Sequence, residues 1–117
     1  MLYMVPIEAS KLMTQMRRGA IEYCVLALLR RREWYGFELA QALAAADGLV
    51  TSEGTIYPLL SRLRRDGVVD SAWRESPHGP PRRYYWLTSD GMAALSAFTQ
   101  QWATFRDTVD RLLTEAT

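Results

Sequence analysis

The chain is predicted to be mainly α-helical with one small β-hairpin: a winged helix-turn-helix followed by a long C-terminal dimerisation helix. Three observations predict this. The run from Thr51 to Gly67 reads as a short amphipathic helix ended by Asp66-Gly67, two β-rich runs with a Pro/Gly loop between them follow it, and the last part of the chain carries an apolar seam. At 117 residues there is room for one compact domain and one extra helix, not for two full domains.

From the N-terminus, Ser10 is expected to cap a first helix on which Leu12, Met13 and Met16 share a face. Arg18-Gly19 marks a kink or break. A second helix is expected to bury Ile21, Cys24, Val25, Leu28 and Leu29, with Arg30-Arg31-Arg32 at its end, where cations suit the negative pole of the helix dipole. Trp34-Tyr35-Gly36 punctuates, and a short helix carrying Phe37, Leu39, Ala40 and Leu43 runs to Ala46. Asp47-Gly48 is a turn signal.

The next helix carries the most chemical information. Ile56, Leu59, Leu60 and Leu63 recur at helical spacing and form its core stripe. Ser52, Thr55, Tyr57, Ser61, Arg62 and Arg65 are left to project outward. Small hydroxyls, a phenol and guanidinium groups on one helix face suit a phosphate backbone and the base edges of a major groove. A helix N-terminus near Thr55 also attracts anions. Pro58 deletes one backbone donor, so the helix is either capped late, near Thr55, or bent, or the proline merely stiffens its first turn.

Beyond Gly67, Val69, Ser71 and Trp73 alternate with Val68, Asp70 and Ala72. Across the loop Ser76–Pro81, Arg83, Tyr85 and Leu87 alternate with Arg82, Tyr84 and Trp86, so the two runs should pair as a hairpin. The Arg82-Arg83 pair behind the proline-rich tip suits a wing reaching into a minor groove; solvated hairpin charge is the plainer alternative. Thr88 should cap the last helix. Its Leu95, Phe98, Trp102, Phe105, Val109 and Leu112 are spaced 3, 4, 3, 4 and 3, a coiled-coil seam that one helix cannot bury alone. A partner subunit, with its N-terminal helix, is the economical cover. Trp102 is either part of that seam or one wall of a flat apolar pocket beside Phe98.

Composition narrows the function class. Net charge is only +1, but residues 11–83 carry 12 basic and 8 acidic side chains (+4), while residues 84–117 carry 2 basic and 4 acidic ones (−2). The expected reading half is therefore the positive half. No run of 18 apolar residues occurs, so no membrane span is expected. The first ten residues lack a secretory pattern, and Cys24 is the lone cysteine. A reducing cytoplasm is the expected location. One His and one Cys cannot assemble a soft-ligand metal site, and no catalytic grouping or Gly-rich phosphate loop occurs, so neither an enzyme nor a cofactor is expected. DNA binding is the favoured reading. A winged-helix adaptor that uses the same surface on a protein is the alternative, disfavoured by the outward arginines 62, 64 and 65.

The ordered motifs resemble one known family. They are Arg18-Gly-Ala-Ile-Glu-Tyr-Cys-Val-Leu-Ala-Leu-Leu29, Trp34-Tyr-Gly-Phe-Glu-Leu39, Ser52-Glu-Gly-Thr-Ile-Tyr-Pro-Leu-Leu-Ser-Arg-Leu63, Asp66-Gly67, and Gly79-Pro-Pro-Arg-Arg-Tyr-Tyr-Trp-Leu-Thr88 with Gly91. Together they resemble a PadR-family transcriptional regulator of the short type with a single C-terminal helix. The resemblance implies a homodimeric repressor that places one recognition helix in each half of an inverted-repeat operator in double-stranded DNA. It implies release from DNA by a small planar aromatic compound in some members, and Trp102 falls where drug-sensing members stack a tryptophan on the ligand. The expected organisation is an N-terminal segment 1–17 that joins the dimer interface, a DNA-binding domain 18–88, and a dimerisation helix 89–117. The expected DNA-contacting set is Tyr35, Ser52, Thr55, Tyr57, Pro58, Ser61, Arg62, Arg65, Arg82 and Arg83. Leu95, Phe98, Trp102, Phe105, Val109 and Leu112 form the expected dimer interface, with Trp102 and Phe98 as the ligand wall. Phe37 stands where the family often has Tyr, which removes one phosphate hydrogen bond. Residues Met1 to Ser10 have no counterpart in this pattern.

Overall fold

In a computed structural model the apolar stripes fold into five helices and three strands; the structure describes residues 9–46, 49 and 53–115. In chain order they are α1 (Ala9–Arg17), α2 (Ile21–Arg31), β1 (Trp34–Tyr35), α3 (Gly36–Ala45), α4 (Glu53–Arg65), β2 (Val69–Ser76), β3 (Gly79–Leu87) and α5 (Ser89–Glu115). The expected turn at Asp47-Gly48 lies outside the described residues. No described helix is long and apolar enough to cross a membrane.

Two glycines set the breaks between helices and their neighbours. Gly19 has φ +86° and Gly67 φ +79°, backbone conformations that side-chain-bearing residues rarely adopt. At Gly67 the Val68 N–H donates to the Leu63 carbonyl at 3.1 Å and the Gly67 N–H to the Arg64 carbonyl at 3.1 Å. That paired pattern closes the end of α4 as a Schellman motif, as the Asp-Gly stop predicts. Ser10 lies inside α1 rather than ahead of it.

α2 is packed by α3, α5 and β3, and this shifts its buried stripe. Val25, Leu26 and Leu29 are buried, while Cys24 and Leu28 are half-buried. Leu26 therefore replaces the flank that the simple stripe had assigned inward. Leu39, Leu43, Ile56, Leu60, Leu63 and Val69 complete the core with Tyr85 and Leu95. Leu59 packs at its margin.

The sheet has three strands in the order β1-β3-β2, one more than the sequence predicts. Trp34 pairs with Tyr85 and Tyr35 with Tyr84, both antiparallel. The turn between β2 and β3 is shorter than the expected loop. Ser76 pairs with Gly79, leaving only Pro77 and His78 between them. The register then places Pro80 and Pro81 opposite the single residue Glu75, a bulge that suits residues with no N–H to give to the ladder.

α5 leaves the sheet through the predicted cap. The Gly91 N–H donates to Thr88 Oγ1 at 3.0 Å, and that hydroxyl donates to the Gly67 carbonyl at 2.7 Å. The approach is so close that a Cβ on Gly91 would stand 2.1 Å from the Val68 carbonyl oxygen. Leu95, one turn on, is 4% exposed and belongs to the core of its own protomer. Of the expected seam residues, Leu95 is thus the one covered within its own protomer, whereas Trp102, Phe105, Val109 and Leu112 stay exposed. The rest of α5 projects beyond the core and gives the molecule its 62 × 30 × 21 Å extents.

Candidate nucleic-acid interface

α4 presents two chemically different faces. Ile56, Leu60 and Leu63 are at most 1% exposed, so one stripe fastens the helix to the core. Thr55, Tyr57, Pro58, Ser61, Arg62 and Arg65 are all exposed. Ser52 lies outside the described residues. Pro58 sits inside the helix, which already includes Glu53 and Gly54, so the late cap near Thr55 does not form. Proline supplies no amide for the carbonyl four residues back, that of Gly54, within the first turns of α4.

The outward residues differ in how they are held. Arg62 leans toward α2, with Nη1 3.5 Å from Glu22 Oε2 and 3.8 Å from Asp66 Oδ2. Among the described residues no carboxylate pairs with Arg65. Tyr57 leans the other way, toward α3, and its ring lies against Gly36. Sequence spacing alone did not reveal the Glu22 partner, because it lies forty positions before Arg62.

The wing arginines point in different directions. Alternation along β3 sends Arg82 and Arg83 to opposite faces of the sheet. Arg82 Cζ lies 4.5 Å from the ring centroid of Tyr35, which is tilted against Tyr84 at 5.9 Å. Arg83 Nε donates to Ser71 Oγ at 2.9 Å, and its guanidinium lies over Trp73 at 5.6 Å. Trp73 is 64% exposed beside it, a large apolar side chain on the wing that stands outside the expected DNA-contacting set. On the Arg82 face, Arg74 forms a two-pronged ion pair with Glu33 and lies over Tyr84 at 5.2 Å. The hydrogen bond from Arg74 holds the Glu33 carboxyl below its ordinary range, and Glu33 in turn raises Arg74. Phe37, 41% exposed, stacks on Tyr35 at 6.5 Å.

A second exposed surface runs along α5. Phe98 stacks on Tyr23 of α2 with centroids 4.1 Å apart and planes within 6°. Trp102 follows at 5.8 Å and Phe105 at 6.0 Å, an aromatic ladder that climbs away from the core. Trp102, Phe105, Val109, Leu112 and Leu113 are exposed, as are Leu12, Met13 and Met16 on α1. The groove between α2 and α5, about 300 Å³, is lined by Arg30, Met92, Leu95, Ser96, Thr99 and Gln100 and does not include Trp102. Among the described residues no three His, Cys, Asp or Glu side chains gather in a way that could hold a metal ion.

Known proteins share this fold. The family described as "Transcriptional regulator PadR-like family" matches residues 25–97. The transcriptional regulator Rv3488 of Mycobacterium tuberculosis is 37% identical over 84 residues, covering 72% of this chain and 77% of that protein. The crystal structure of a PadR-like transcriptional regulator from Bacillus cereus superposes with a TM-score of 0.77 at 37% identity, covering 85% of this chain and 96% of the other. A PadR family transcriptional regulator from Eggerthella lenta gives 0.77 at 35% identity, covering 89% and 90%. These relatives are regulators of transcription, not enzymes. The chain belongs to the PadR-like family of transcriptional regulators.

Proposed function

We propose that this protein is a sequence-specific DNA-binding regulator that acts as a homodimer on an inverted repeat. α4 of each subunit lies in one major groove. The wing tip lies beside it, with Arg82 and Arg83 serving different phosphates or groove walls because they leave opposite sheet faces. The observation that carries this reading is the division of α4: an apolar stripe sealed in the core, and an opposite face of hydroxyl, phenol and guanidinium groups left exposed. Residues 18–88 serve as the DNA-binding part, residues 89–117 as the dimerisation helix, and residues 1–17 join the interface. Exposed apolar side chains on α1 and distal α5, too many for a lone helix in water, support a second subunit as their cover.

In this reading the regulator is a repressor released by a planar aromatic compound. Trp102 is 40% exposed, with one neighbour ring on each side along α5, so a flat ligand has a ring edge and face to stack on when two subunits meet. Such a ligand shifts DNA binding only by its difference in affinity for the free and DNA-bound shapes.

The test is a mobility shift on a duplex carrying the protein's own promoter, repeated over a salt series. Binding should weaken steeply as salt rises, because arginines that meet phosphates release counterions. Binding that ignores salt, or fails at every concentration, removes the DNA-reading role and leaves the protein-adaptor alternative.

A further inference from the structure

We propose that Gly36 is a positioning residue for DNA recognition: the space left by its missing side chain is the seat of Tyr57, and the seat fixes where the Tyr57 hydroxyl meets DNA. The inference rests on the proposed reading role of α4.

Glycine at this position is required by space rather than by backbone shape. Gly19 and Gly67 are the described glycines with left-handed backbone, and Gly36 is not among them. It is the first residue of α3, and its backbone is not one that only glycine adopts. Backbone shape therefore does not call for glycine, and the neighbouring side chain explains it. A Cβ built on Gly36 would stand 2.6 Å from Tyr57 Cε1, 3.2 Å from its hydroxyl oxygen and 3.3 Å from Cζ. The outer end of the Tyr57 ring, hydroxyl included, thus occupies the volume that any other residue at 36 would fill.

Of the two partners, Gly36 is the one that cannot move. The strand before it is hydrogen-bonded to β3, with Tyr35 paired to Tyr84. Trp34 Nε1 donates to the Leu28 carbonyl at 2.9 Å, and the Tyr35 N–H donates to Glu38 Oε1 at 3.1 Å. Tyr57 instead projects from the exposed side of α4, and the atoms that would collide are the far end of its side chain. A methyl group at 36 should therefore displace the ring and leave α3, β1 and the core in place. Gly36 acts through Tyr57, with no DNA contact of its own required.

The experiment is a double-mutant cycle with Gly36→Ala, Tyr57→Ala and the double variant, plus Arg65→Ala as an independent report on α4. Affinity is read by fluorescence anisotropy on a labelled duplex carrying the protein's own promoter, and thermal stability by circular dichroism. Gly36→Ala should bind about tenfold more weakly than the parent, the loss of one hydrogen bond to a charged group, while its melting temperature stays close to the parent's. In the Tyr57→Ala background the added Gly36→Ala should change affinity by less than about twofold, since the ring it would displace is gone. Parent-like affinity in Gly36→Ala overturns the inference, as does an equal loss in both backgrounds. If Gly36→Ala lowers the melting temperature strongly, Tyr57→Ala should restore it; no restoration overturns the inference too. Normal affinity in Arg65→Ala sinks the reading role of α4 and this inference with it, whereas a loss there with parent-like Gly36→Ala sinks only the inference.

Discussion

Phe105 is the position where one charge tests the proposed dimer without touching the core. Its ring meets Trp102 at 6.0 Å between centroids, and 62% of the residue is exposed in the protomer. A phenylalanine presents on the order of 200 Å², so about 120 Å² per subunit remains for a partner to cover. At about 25 cal/mol per Å², covering it contributes about 3 kcal/mol from each subunit. Two-fold symmetry doubles the effect of one substitution. Phe105→Asp should therefore weaken association by about 6 kcal/mol, a rise of roughly 10⁴-fold in the dimer Kd, before the cost of desolvating the new carboxylate. Sedimentation velocity at matched micromolar concentrations reads the outcome, with circular dichroism as the check on helix content. The parent should sediment as a dimer, and the variant as a monomer that keeps its helices. A monomeric parent, or a variant that dimerises as tightly as the parent, refutes the seam.

Four further outcomes follow from the geometry. Arg65→Ala should cost about 1–3 kcal/mol of DNA affinity if it removes a base contact, and more than Arg62→Ala, whose guanidinium is shared with Glu22 and Asp66; anisotropy titrations showing the reverse order would contradict the assignment of the outer face. Gly91→Ala should destabilise the protein by about 2–3 kcal/mol in urea melts through overpacking, although alanine is the better helix former, because its methyl meets the Val68 carbonyl; an unchanged midpoint counts against that close approach. A planar aromatic effector should quench tryptophan fluorescence in the parent and not in Trp102→Ala, and quenching that persists in the variant would point to Trp34, Trp73 or Trp86 instead. Burial pushes the Cys24 thiol above its ordinary pKa, so the folded state keeps a proton that the unfolded chain releases. Stability should consequently fall as pH climbs through the thiol range, and alkylation of the folded protein should lag that of the denatured chain; equal alkylation rates would deny the burial.

Much of this architecture is legible in local patterns. The stripe Ile56, Leu60, Leu63 and the cap Thr88 each depend on residues within one or two turns, and periodicity reports such relations directly. β1 escapes because two residues cannot show alternation, and its partners in β3 lie fifty positions away. Separations of 40 and 41 positions likewise hide Glu22 behind Arg62 and Glu33 behind Arg74. Leu95 fits the heptad spacing as well as Phe105 does, yet one is buried in its own protomer and the other is exposed. Spacing defines a face of a helix but not what covers it, and here the covering changes partway along α5. The opposite directions of Arg82 and Arg83 are legible in the strand alternation of β3.

The contact at Gly91 turns α5 into a lever with a welded base. The helix and Val68, the residue just ahead of β2, meet there with no room for a methyl group, so α5 cannot roll or slide at that end without dragging the strand that follows. From that base its 27 residues extend about 40 Å at 1.5 Å per residue. A change of about 5° in how two such levers cross moves a point at the far end of the arm by about 3 Å, close to the 3.4 Å rise between successive base pairs. In the proposed dimer, small adjustments along the aromatic seam would thus be magnified into steps on the scale of the DNA ladder, and the stiffness of a single glycine junction would set how faithfully they arrive.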